Sequence, residues 1–227
     1  MKKVNQLSDA DHKLVTDAVG EAEKSTDGEI VTIVTEQSDK YNDTALIWAS
    51  LAAFLALGTI ALVPGFFAEK LDWILGGWGL EFTAAEYLGI ILTLVTLKWL
   101  GVWLIMFWKP LRLFLTPKST KTERVQKRAI DFFKVGAERR TMGLTGILIY
   151  VSLKEHRAEI VADVAISEKV SPEVWGDAMV ALIDEIRAGR PGNGMAAAVA
   201  HVGVVLEEHF PKTDNNPNEL PDRLIEL

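Results

Sequence analysis

The stretch TGILIYVSLKEHRAEIVADVAI, Thr145 to Ile166, alternates apolar and polar residues with the period of a β-strand and turns once, at KEHR. That pattern predicts a strand from Gly146 to Leu153, a tight turn, and a returning strand from Ala158 to Val164. Glu159 and Asp163 then fall on one face of the second strand. Four residues at about 3.3 Å each hold them roughly 13 Å apart, too far to grip one ion together. Solvated carboxylates on an exposed face are the plain expectation for both.

Working outward, two segments that water would not tolerate precede this hairpin. TALIWASLAAFLALGTIALV, residues 44–63, and YLGIILTLVTLKWLGVWLIMFW, residues 87–108, each reach the ~20 residues that cross a bilayer core. Between them, residues 64–86 hold one lysine, Lys70, against Glu69, Asp72, Glu81 and Glu86, with Phe66, Phe67, Trp73, Trp78 and Phe82 suited to a membrane interface. After the second span come Lys109, Arg112, Lys118, Lys121, Arg124, Lys127 and Arg128. The bias of basic residues predicts a two-pass membrane protein with both termini cytoplasmic and the loop outside. Lys98 lies near the middle of the second span, where insertion scales put its cost at about 2.5–3.5 kcal/mol. Snorkelling, Thr93, Thr96 or a second copy of the chain would relieve it.

The charge of -7 is uneven: residues 1–43 carry 5 basic and 10 acidic groups, 109–140 carry 10 and 3, and 141–227 carry 7 and 14. A basic block directly behind an apolar span points to membrane orientation rather than to nucleic acid. There is no cysteine, which excludes disulfides, thiolate metal sites and a cysteine nucleophile. The start, MKKVNQLSDADHKLV, has no apolar run behind its lysines and does not read as a secretory signal.

The flanking segments read as one soluble domain in two pieces, residues 1–43 and 109–211, with a tail at 212–227 expected to be mobile until a short turn after Pro221. Residues 7–24 form an amphipathic helix, with Ser8 as cap and Asp11 closing a capping box. GEIVTIVTEQS is a strand apolar enough on both faces to be interior to a sheet. Thr120 or Thr122 caps a helix burying Val125, Ala129, Phe132, Phe133 and Gly136. Ser171, Pro172 and Gly189 bracket another, with Trp175, Met179, Leu182 and Ile186 on its inner side. Asn193 caps the last, with Val199, Val202, Leu206 and Phe210 inward.

This order, helix, DGEIVTIVTEQS, inserted spans, ERVQKRAIDFF, the hairpin, then VWGDAMVALIDEIRAGRPGNGMAAAVAHVGVVLEEHFP, resembles the TPM-domain family, sometimes called TPM phosphatases, over about residues 7–211. It looks most like a bacterial membrane branch in which the spans interrupt the domain and NELPDRLIEL closes it, and that resemblance implies that the membrane is the bacterial inner (cytoplasmic) one. The resemblance implies an α/β fold, a central β-sheet flanked by helices. It also implies relatives that are acid phosphatases or calcium binders, and others that serve as accessory proteins of membrane complexes. In soluble relatives an acidic or Asn residue and a Gly open the first hairpin strand; here the pair is Thr145 and Gly146. The glycine-rich segment after the hairpin reads VADVAI, with Asp163 its one acid.

A calcium or magnesium site would need Asp163 at its strand end joined by Asp27, Glu29, Asp39 or Thr145, hard oxygen donors of the kind those ions prefer. Arg157 either holds a phosphate or pairs with Glu155 or Glu29. GRPGNGMAAAVA sets glycines before a helix but lacks the Lys and Ser/Thr of a nucleotide phosphate loop. His12, His156, His201 and His209 show no metal spacing. Two functions remain open: a membrane accessory or interaction module, whose partners are the bilayer and either another membrane protein or a second copy, and a metal-dependent phosphohydrolase.

Overall fold

A computed structural model describes residues 7–74, 82–136, 141, 143–213 and 219–227. Trp78 and Glu81 of the expected interfacial loop lie outside the described residues. The chain divides into two compact units, one of Met1–Asp39 with Lys118–Leu227 and one of Lys40–Pro117. The seams fall at 39/40 and 117/118, instead of the expected 43/44 and 108/109.

In the first unit, helix α1 spans Asp9–Ala22 and strand β1 spans Glu29–Thr35. In the second unit, α2 (Asn42–Leu62), α3 (Pro64–Ile74), α4 (Ala84–Ile105) and α5 (Lys109–Leu115) follow. The first unit resumes with α6 (Lys118–Gly136), β2 (Gly146–Ser152), β3 (Arg157–Ala162), α7 (Val164–Lys169), a 3-10 turn at Pro172–Trp175, α8 (Gly176–Arg187), α9 (Pro191–His209) and β4 (Ile225–Glu226).

The sheet order is β3-β2-β1-β4. β1 and β2 pair in parallel over seven residues each, from Glu29 opposite Gly146 to Thr35 opposite Ser152. Parallel neighbours need a long crossover, and here it carries a whole second unit as well as α6. β3 returns antiparallel to β2, as the alternating pattern of the hairpin requires. All seven residues of β1 and of β2 are buried, the signature of interior strands covered on both faces.

Side-chain alternation divides the core. Ile30, Val34, Ile147, Ile149 and Val151 face α1, α8 and α9 through Val15, Val19, Leu182, Ile186, Val199, Val202 and Leu206. Val31, Ile33, Leu148 and Tyr150 face α6 through Val125, Ala129 and Phe133. Helix ends follow the sequence signals in part. Ser8 and Asp11 form the expected capping box (Asp11 N to Ser8 Oγ 3.1 Å, Ser8 N to Asp11 Oδ2 3.0 Å). Gly189, at φ +78°, ends α8 with the Arg190 N–H on the Glu185 carbonyl and its own on Ile186, a full Schellman closure.

Other ends differ from expectation. α6 starts at Lys118, so Thr120 and Thr122 lie inside it and Thr122 Oγ1 donates back to the Lys118 carbonyl. α9 starts at Pro191 with Asn193 inside its first turn. The glycines there serve packing: a Cβ on Gly192 would strike Asp11, one on Gly194 would lie 2.8 Å from Glu185, and one on Gly203 would lie 2.7 Å from Ala22. They let α9 approach α1 and α8 closely.

The C-terminus is the largest departure. Instead of a free turn, Ile225 and Glu226 add a strand beside Ile33 and Val34, and the Leu227 N–H donates to the Val34 carbonyl at 2.9 Å. Glu226 Oε2 meets His12 Nε2 of α1 at 3.0 Å. Leu224 enters one half of the core and Leu220 the other.

The second unit has a different character. α2 and α4 are long and apolar enough to cross a membrane, and only 11% and 0% of their most apolar windows are buried. They pack on each other, with Trp99 Nε1 donating to Ser50 Oγ at 3.3 Å. Trp99 stacks on Trp103, and Trp103 meets Phe107 edge-on. Lys98 lines a hollow with Thr59, Phe66 and Lys70. Arg112 Nη1 donates to Asn42 Oδ1 at 2.9 Å, tying α5 to the start of α2.

Because Leu224 is 5% exposed and holds the last strand in place, Leu224→Ala is expected to cost about 2–4 kcal/mol. Thermal unfolding of the detergent-solubilised chain checks this, and a cost under 0.5 kcal/mol would show that β4 contributes little.

Candidate functional site

Parallel β1 and β2 and antiparallel β3 give the sheet two chemically distinct ends. At one end, the starts of β1 and β2 meet the finish of β3. Asp27, Glu29, Thr145 and Asp163 gather there: Thr145 Oγ1 donates to the Asp27 carbonyl at 2.9 Å, Glu29 N to the Thr145 carbonyl at 3.1 Å, and Asp163 N to the Gly146 carbonyl at 2.8 Å. Asp39 is not among them. It follows the far end of β1, about 20 Å of strand away, and pairs with Arg124 at 3.1 Å.

The gathered carboxylates are turned to protein groups. Asp27 receives the Thr213 N–H at 2.9 Å and its hydroxyl at 2.7 Å. Glu29 Oε2 receives the N–H groups of Glu219 at 3.3 Å and Leu220 at 3.1 Å, which anchors the C-terminal segment. Asp163 stands outside the strand, because β3 ends at Ala162. Its side chain caps α7 through the Val164 N–H at 2.8 Å, and the residue is 2% exposed. The expectation of a solvated Asp163 sharing a strand face with Glu159 is therefore corrected: the chain turns into a helix one residue too early. Among the described residues no three His, Asp or Glu side chains stand together in a metal-holding arrangement. With Asp27, Glu29 and Asp163 oxygens accepting from N–H and O–H donors, these residues do not fit a calcium or magnesium cage.

Glu23 is the member that sequence reasoning missed. It follows Val15 and Val19 at helical spacing, so it continues the buried stripe of α1, a signal overlooked because a carboxylate was expected to leave it. It is 8% exposed, and Oε1 accepts the Ile30 N–H at 2.8 Å. Burial pushes its carboxyl up to about 8; the Ile30 hydrogen bond opposes this, the charges of Glu29 and Asp222 add to it, and Lys212 offsets part. Glu29 is raised too, by burial first, against the backbone donors of Leu220 and Glu219. Two adjacent buried carboxyls that resist joint ionisation thus sit under the start of β1.

The opposite end is basic. Arg157, the first residue of β3, pairs with Ser152 in the ladder, a sheet length from Glu29. Its Nε is buried and has no hydrogen-bond partner. Among the described residues no ion pair joins Arg157 to Glu155 or Glu29, the alternatives to a phosphate; Glu155 accepts the Ser38 N–H at 2.9 Å and the Ser152 hydroxyl. Further along β3, Glu159 is raised by burial and drawn back by the Arg157 charge. Lys154 pairs with Glu36 at 2.7 Å.

No family model matches the sequence, and no curated protein matches it. Among solved structures the chain is similar to the NMR structure of BA42 protein from the psychrophilic bacterium Bizionia argentinensis, with 18% identity over 100% of both chains and a TM-score of 0.57. That likeness concerns the fold alone.

Glu23 gives a signed pH dependence. Its pKa is higher folded than unfolded, so the folded state binds more protons between about pH 4.5 and 8 and stability falls as pH rises through that window. Glu23→Gln keeps an acceptor for Ile30 and removes the charge. Its melting temperature is expected to match the parent near pH 5 and exceed it near pH 8.5; parallel melting curves at both pH values would refute the assignment. Removing the α7 cap by Asp163→Ala is expected to cost about 0.5–2 kcal/mol in chemical denaturation, with Asp163→Asn recovering most of it.

Proposed function

We propose that the chain is a membrane-anchored accessory or interaction module, a TPM-like α/β domain tethered to the inner face of the bacterial cytoplasmic membrane by α2 and α4. The observation that carries this reading is the exposure of those helices. Leu46, Ile47, Phe54, Leu55, Leu88, Leu92 and Leu104 are each at least 47% exposed, an apolar surface far beyond what water favours and natural in lipid. The charge bias supports the orientation: acids dominate residues 64–86, and Lys and Arg follow the second span. The order of elements shared with TPM proteins supports the domain's nature. Its partners are the bilayer and a neighbouring membrane protein or a second copy, for which Lys98 on exposed α4 offers a polar contact.

The accessory role is favoured over a phosphohydrolase by the state of the acidic sheet end, where the carboxylates cap, clasp and anchor their own backbone. A reporter fused after Leu227 is expected to be active only in the cytoplasm. The solubilised protein is expected to show no turnover of a generic phosphate ester, with calcium or magnesium, that depends on Asp163. Turnover abolished by Asp163→Ala would replace the accessory reading with the hydrolytic one.

A further inference from the structure

Within the helical unit, the start of α2, the end of α4 and the short α5 enclose a cavity of about 270 Å³. Its deep side is formed by Ala45, Met106 and Arg112, which are 4%, 2% and 8% exposed. Its mouth is formed by Leu46 and Phe107, both well exposed, with Trp103 along one wall. A charged side chain at the back of an apolar pocket is costly unless a counter-charge meets it. Arg112 has no such partner in the chain. Among the described residues no carboxylate pairs with it, and Nη1 donates to a neutral acceptor, Asn42 Oδ1, at 2.9 Å. Asp43, next along α2, turns Oδ1 to the Thr44 N–H at 3.0 Å. At 8% exposed, Arg112 does not reach water as a snorkelling side chain would. The guanidinium keeps donors beyond the one given to Asn42, in the fork that suits a phosphate.

We propose that this cavity binds the headgroup of an anionic phospholipid, with its phosphate on Arg112 and its first acyl carbons leaving over Leu46 and Phe107. The charge selects the anion, and the apolar mouth selects an amphiphile over a free ion. The position selects the membrane as source: Asn42 begins one lipid-length helix and Met106 follows the other, so the cavity lies where two apolar helices end, at headgroup depth. The volume holds a headgroup and the start of a chain, below the range of pockets that enclose whole ligands. Asn42 acts as a positioning residue, because its Oδ1 fixes the guanidinium and leaves its own amide N–H groups to donate. The inference rests on the membrane-anchored reading above.

The test uses the full chain in a neutral maltoside detergent, titrated with phosphatidylglycerol or phosphatidylcholine, with bound lipid counted by native mass spectrometry. One phosphatidylglycerol per chain is expected to be retained in preference to phosphatidylcholine. Arg112→Gln is expected to weaken that retention about tenfold or more, and Arg112→Lys to recover part of the loss. If Arg112→Gln melts early, Leu46→Trp, at an exposed position, blocks the mouth with Arg112 intact and is expected to weaken retention by a similar factor. Equal retention of both lipids overturns the proposal, as does retention unchanged in Arg112→Gln and Leu46→Trp. Displacement of the lipid by millimolar inorganic phosphate would make the site one for free anions. A lipid-free dimer that Arg112→Gln dissolves would place a second copy's acid there instead. A chain that stays monodisperse without detergent would sink the membrane-anchored reading, whereas a detergent-dependent chain that retains no phosphatidylglycerol sinks this inference alone.

Discussion

The parallel pairing of Glu29–Thr35 with Gly146–Ser152 is the constraint on which the α/β domain rests. Closing it brings together residues more than a hundred positions apart in sequence, at an entropic cost that grows only with the logarithm of loop length. That slow growth is why the crossover can include an entire helical unit. The ladder is repaid by burial of every residue in both strands, and α6 supplies the return on one face while α1, α8 and α9 cover the other. β3 and β4 are added to the two outer edges of this central pair.

Pairing direction also determines where chemistry can lie. Each end of the sheet collects residues from segments far apart in the chain, and the two ends acquire opposite character. The acidic end is dry: Glu23 and Glu29 are buried, Asp163 is a cap, and the C-terminal segment is hung on Glu29 through two backbone N–H groups. The basic end is where the chain leaves at Asp39 and re-enters at Lys118.

Much of this was legible from residue order, because some signals are local. The apolar segments 44–63 and 87–108 are announced by length and hydropathy, and helices long and apolar enough to cross a membrane stand there at Asn42–Leu62 and Ala84–Ile105. The capping box of Ser8 and Asp11 and the glycine closure at Gly189 need only neighbours within five residues. The same holds for the hairpin, whose alternation specifies both strands and their turn. Of the candidate site, Asp27, Glu29, Thr145 and Asp163 do share a sheet end, because strand direction alone places them there, while Asp39 follows the wrong end of β1. Neither the cap made by Asp163 nor the burial of Glu23 was legible, since each depends on a turn or a neighbour supplied by the rest of the fold.

By itself, then, the sequence determined periodicity: two lipid-length helices, the amphipathic stripes, the alternating hairpin and the bias of charge along the chain. Those properties are set by chemistry within a few residues. Only the tertiary structure decided that Ile225 and Glu226 close the sheet as a fourth strand, that the Glu23 carboxyl is buried and raised beside the start of β1, and that the Arg157 Nε is buried without an acceptor. Two residues of strand carry too little pattern to announce themselves, and a buried charge has no local signature. Their states follow from which surfaces meet once the long crossover has closed.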